Sequence, residues 1–74
     1  MVRDKRSELT DHLIELYCDW RMRCEQVHAT YERFTMAPKA SRVLAFAAYE
    51  AALDQEECAA DAYASQISRM TIAA

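Results

Sequence analysis

Thr35-Met36-Ala37-Pro38 interrupts a chain that is otherwise written for helices, and its reading decides the fold. Proline has no amide hydrogen to give inside a helix but suits the first turn of a new one. A first helix is therefore predicted over about residues 7–34, a turn over 35–38 and a second helix over about 38–70. With so short a connection, antiparallel packing is the simplest arrangement. Asp4 and Ser7 are the candidate N-caps of the first helix, Ser7 being preferred, because either side chain accepts from the free amides of an opening turn.

The rest of the sequence supports two long, unbroken helices. The 74 residues include 14 alanines, a single proline and no glycine. A chain without glycine lacks the residue on which phosphate-cradling loops, dinucleotide-binding turns and nucleophile elbows depend, and tight two-residue hairpins lose their usual turn residue. The fold class is all-α, with residues 1–74 read as one helical-hairpin domain near the lower size limit for independent folding.

Each helix carries a heptad stripe of large side chains. On the first, Leu13, Tyr17, Trp20, Cys24, Val27, Tyr31 and Phe34 follow at alternating spacings of four and three. On the second, Phe46, Tyr49, Leu53, Glu56, Ala60, Tyr63, Ile67 and Met70 do the same. These stripes are the predicted core and interface. Ala45, Ala52 and Ala59 recur every seven residues beside the second stripe and favour close backbone approach.

Two helices expose the flanks of their own seam, and seven aromatic residues need walls on more than one side. Further apolar positions lie off the stripes: Leu9, Ile14 and Leu16 on the first helix, and the all-round apolar run Val43-Leu44-Ala45-Phe46-Ala47-Ala48-Tyr49 on the second. The expected assembly is a homodimer of hairpins, or a higher homo-oligomer, forming a four-helix bundle.

Among the charged positions, Glu56 stands inside a stripe. If the hairpin pairs residues whose numbers sum to about 76, Glu56 faces Trp20, whose indole N–H donates; Arg21 and Arg23 are the other candidate partners. A polar residue in such a seam chiefly fixes register. Glu25-Gln26-Val27-His28 is an E-x-x-H tetrapeptide, and the same pairing rule sets Glu50 at its height. Two hairpins would supply two such pairs and two further glutamates, the ligand set of a ferritin-like di-iron or other divalent-metal bundle. This is the alternative to a cofactor-free protein. Glu8, Asp11, His12 and Glu15 form a further acidic cluster around a histidine, read as a solvated helix start.

No nucleophile, base and orienting acid come together, so the chain is read as non-enzymatic. Cys18, Cys24 and Cys58 are odd in number and contain no CxxC pair, which suits reduced packing residues rather than disulfides or zinc. A net charge of −3 with interspersed signs argues against nucleic acid as a partner. The short basic start is followed by Ser7-Glu8 rather than an apolar run, and no stretch approaches a membrane span, so a cytoplasmic location without membrane association is expected. Arginine outnumbers lysine seven to two beside abundant alanine, the balance of a GC-rich bacterial genome. The resulting expectation is a protein–protein interaction module: a regulator, adaptor or small subunit that binds itself and another protein through helix-on-helix packing.

Overall fold

A computed structural model describes residues 5–73. Among them the chain forms two α-helices and no strand: α1 over Lys5–Met36 and α2 over Arg42–Ala73, joined through a short 3₁₀ turn over Lys39–Ser41. The helices lie side by side as an antiparallel hairpin. At 57 × 24 × 12 Å it is a flat rod. Its radius of gyration of 17.0 Å is well above the roughly 11 Å of a compact globule of this length.

α1 runs beyond its expected bounds at both ends, whereas α2 starts about four residues later than expected and ends about three later. α1 begins at Lys5, so Ser7 lies within its first turn rather than capping it; Asp4 lies outside the described residues. Lys5 and Arg6 are good helix formers and extend the helix upstream of Ser7. At the corner, Ala37 donates its amide to Phe34 O at 3.3 Å, closing the last turn of α1. Pro38 then takes an extended conformation, with φ −60° and ψ 155°, and does not start the second helix itself. Ser41 donates back to Pro38 O at 2.9 Å, and only from Arg42 does α2 proceed. No described residue has a positive φ, so the corner is turned without the conformation that favours glycine.

Burial between the helices does not follow the largest side chains. The residues buried on α2 are Ala52, Ala59 and Gln66, at 6, 7 and 2% exposure, seven apart along one line. Partial burial extends this into the sequence Ala45, Tyr49, Ala52, Glu56, Ala59, Tyr63, Gln66 and Met70. On α1 the matching line is Leu9, Leu13, Leu16, Trp20, Arg23, Val27, Thr30 and Phe34, all half-buried. Each predicted stripe therefore shares one heptad position with the observed contact line, and the other lies on a flank. Tyr17, Tyr31, Phe46, Leu53 and Ile67, expected in the core or an interface, are 38 to 51% exposed in the single hairpin. The reason is steric: helix axes approach most closely where side chains are small, and the alanine row of α2 turns its bulkier neighbours outward.

Gln66 is the most buried side chain, and its polarity is satisfied. Its amide donates to the main-chain carbonyl of Leu9 at 3.1 Å, tying the end of α2 to the start of α1. No buried side-chain nitrogen or oxygen among the described residues is without a hydrogen-bond partner.

Candidate interaction surface

The two flanks of large side chains fall on the same side of the rod. On α1, Tyr17, Cys24 and Tyr31 each follow a contact residue (Leu13, Trp20, Val27) by four positions; on α2, Leu53, Ala60 and Ile67 follow Tyr49, Glu56 and Tyr63 likewise. Four residues complete one helical turn and about 40° more. Reversing chain direction also reverses the sense of winding past the contact line, so in an antiparallel pair both steps lead to one broad face. That face carries the half-exposed tyrosines, Phe46, Leu53 and Ile67.

The rings on it form two clusters. Far from the turn, Trp20 and Tyr63 stack at 5.9 Å with planes 9° apart, and Tyr17 tilts against Tyr63 at 5.7 Å. Near the turn, Phe34 stacks on Tyr49 at 6.5 Å, Tyr31 tilts against Tyr49 at 5.4 Å and Phe34 against Phe46 at 5.3 Å. These centroid separations lie in the favourable range for aromatic pairs. The rings bridge the two helices at one side and leave their outer surfaces to solvent.

At the turn-side edge of the far cluster lies the Trp20–Glu56 pair. The indole Nε1 donates to Glu56 Oε1 at 2.8 Å, the pairing given by a residue sum of 76. Tyr17–Tyr63, Tyr31–Tyr49 and Phe34–Phe46 each sum to 80, and Trp20–Tyr63 and Phe34–Tyr49 each to 83, so the two clusters repeat one register along the rod. Of the alternative partners, Arg23 instead bonds Gln55 Oε1 at 2.9 Å and lies 3.5 Å from Asp19 on its own helix. Those groups belong to the opposite broad face, where Asp19, Gln26, Arg33 and Gln55 alternate with alanines. One face of the rod is thus aromatic and aliphatic, the other polar.

Glu25, His28 and Glu50 are all exposed, and within this single hairpin no three His, Cys, Asp or Glu among the described residues converge to hold a metal ion. His12 lies 3.8 Å from Glu15 on the exposed start of α1. Cys18 and Cys58 are exposed, Cys24 is half-buried on the aromatic face, and all three are free thiols. No described helix is long and apolar enough to cross a membrane. Compared with known proteins, the chain matches no family model, no curated protein and no solved structure.

The feature that reasoning from the sequence passed over is Gln66. It continues the Ala45, Ala52, Ala59 row at the same seven-residue interval, and that interval was the signal. A search confined to apolar residues leaves it out.

Proposed function

We propose that this chain is a non-enzymatic association module that works as a homodimer, or a higher homo-oligomer, of hairpins packed into a four-helix bundle, and that the assembled bundle holds another protein. The observation that carries the reading is the aromatic face, on which Tyr17, Tyr31, Phe46, Leu53 and Ile67 remain 38 to 51% exposed in the single hairpin. Contiguous apolar surface of this kind marks an association site.

The area supports it. The hairpin exposes 5930 Å², whereas a compact monomer of 8.5 kDa exposes about 4,700 Å². The broad face, with a footprint of roughly 1,400 Å² from its 57 × 24 Å extents, exceeds the ~800 Å² that each partner contributes to a standard interface. A second copy laid on this face supplies the missing walls around the rings, and the polar face stays in water.

For the second protein, the reading relies on what a bundle leaves uncovered. Met36, Val43 and Leu44 are highly exposed at the turn end, and Asp54 and Asp61 lie on the outer side of α2. An exposed apolar tip is suited to packing against a partner helix, and the acidic strip farther along α2 to a partner of basic character.

Sedimentation equilibrium from about 1 to 100 µM tests the homo-oligomer. The expected result is a mass of twice 8.5 kDa or a higher multiple. A folded, helical monomer throughout that range would overturn it. Capture of a specific protein from the native cell, lost on exchanging Leu44 for a charged residue, tests the second half.

A further inference from the structure

We infer that the second copy lies with both turns at the same end of the bundle, so that Arg21 pairs with the partner's Glu57 and His28 with the partner's Glu50. This rests on the dimer reading and specifies the one orientation that the charges favour.

The Trp20–Glu56 bond at 2.8 Å fixes those two residues at one height on the rod. Arg21 follows Trp20 toward the turn and Glu57 follows Glu56 away from it, so the two stand within about 3 Å of one height, each turned about 100° further round its helix. By the winding argument above, both turn toward the aromatic face, Arg21 at its α1 edge and Glu57 at its α2 edge. His28 is seven residues after Arg21 and Glu50 seven before Glu57, which places them likewise at nearly one height, closer to the turn. All four are exposed. The aromatic face therefore has Arg21 and His28 along its α1 edge and the carboxylates Glu50 and Glu57 along its α2 edge.

Two hairpins facing each other across this surface have two ways to obey two-fold symmetry. With the axis along the rod, the turns coincide at one end and the α1 edge of each copy lies over the α2 edge of the other. Arg21 then meets the partner's Glu57, His28 meets the partner's Glu50, and Ile14 meets the partner's Ala64, each pair summing to 78, between the 76 of Trp20–Glu56 and the 80 of Tyr17–Tyr63. With the axis across the rod, α1 lies over α1. Arg21 and Glu57 stand near the midpoints of Lys5–Met36 and Arg42–Ala73, so each would then face its own copy. Side-chain sizes interdigitate in both cases: Tyr17 meets Ala60 in the first and Cys24 in the second. Charge separates them, because like charges opposed at flanking bundle positions disfavour an orientation whereas opposite ones select it.

Charge reversal in the natural sequence tests this. Arg21→Glu and Glu57→Arg are each expected to raise the dimer dissociation constant roughly tenfold, and the double variant to return it close to the original. Unchanged affinity in both single variants would overturn the orientation. A second measurement places a spin label at Ala40→Cys in a chain carrying Cys18→Ser, Cys24→Ala and Cys58→Ser. In a dimer, label separations well below the 57 Å rod length support coincident turns, and separations near that length overturn them. If the wild-type chain sediments as a monomer, the dimer reading itself fails, an outcome distinct from a dimer with distant labels.

Discussion

Trp20 and Glu56, thirty-six residues apart, meet through a 2.8 Å hydrogen bond at the level where the two aromatic clusters divide. The contact is directional, unlike the ring packing on either side, and it discriminates the observed register from one slipped by a turn. Replacing Glu56 with Gln keeps an acceptor and is expected to cost less than about 1 kcal/mol. Trp20→Phe removes the donor and part of the ring, and should cost about 2 to 3 kcal/mol. Urea unfolding at fixed protein concentration measures both. Glu56→Leu is expected to loosen the pairing, seen as a change in oligomer size or in helix orientation; unchanged values of both would remove the register role.

Ala52 and Ala59 are the buried alanines of the line along which α2 packs on α1. Enlarging either to leucine should push the axes apart and destabilise the hairpin by about 1 to 3 kcal/mol, whereas Ala47→Leu on the exposed side should stay within about 0.5 kcal/mol. Thermal melts of the three variants followed by circular dichroism separate these outcomes. Equal effects at Ala47 and Ala52 would contradict the packing described.

The aromatic face gives a sharper mutational contrast. Leu53→Glu places a charge among the half-exposed rings and is expected to weaken self-association on the order of a hundredfold, because an unpaired carboxylate would have to be desolvated in the assembly. Ala62→Glu, on the polar face, should leave it within a factor of about three. Light scattering over a dilution series reports both, and the helical content of Leu53→Glu shows whether the hairpin itself survives.

The three thiols offer a test that needs no substitution. Cys18 and Cys58 are exposed and should react rapidly with a disulfide reagent, whereas Cys24 is half-buried on the aromatic face. Its modification rate is expected to fall as protein concentration rises and the face becomes covered. Three equal, concentration-independent rates would argue that this face stays open to solvent.

The hairpin itself was legible because Pro38 has no competitor as a corner and no glycine offers another. The pairing height was legible too, since Glu56 was the one charge in a stripe and Trp20 the ring able to donate to it. What the pattern concealed was rotation. Ranking positions by apolar size selects Tyr17, Tyr31, Phe46 and Leu53, but the axes settle where bulk is least, on the line of Ala52, Ala59 and Gln66. A rotation of about 50°, roughly one seventh of a turn, separates those two answers, and hydrophobicity alone does not resolve it. The helix ends escaped for a different reason. Lys5 and the residues just after Phe34 are compatible with helix and carry no marker, so α1 runs on until the corner at Pro38 stops it.

Pro38 also separates two ways of using the same contacts. Ala37, Lys39 and Ala40 beside it are compatible with helix, so the 3₁₀ corner at Lys39–Ser41 stands between the hairpin and one continuous helix of nearly 70 residues, on the order of 100 Å long. Such a helix would lay its first half along the second half of another copy and recreate between chains the pairings now made within one, which is domain swapping at a single hinge. Pro38→Ala is expected to shift the population toward that swapped form, detectable as an elongated dimer in small-angle scattering. The lone proline thereby guards the identity of the folded chain, keeping each molecule's second helix for its own first.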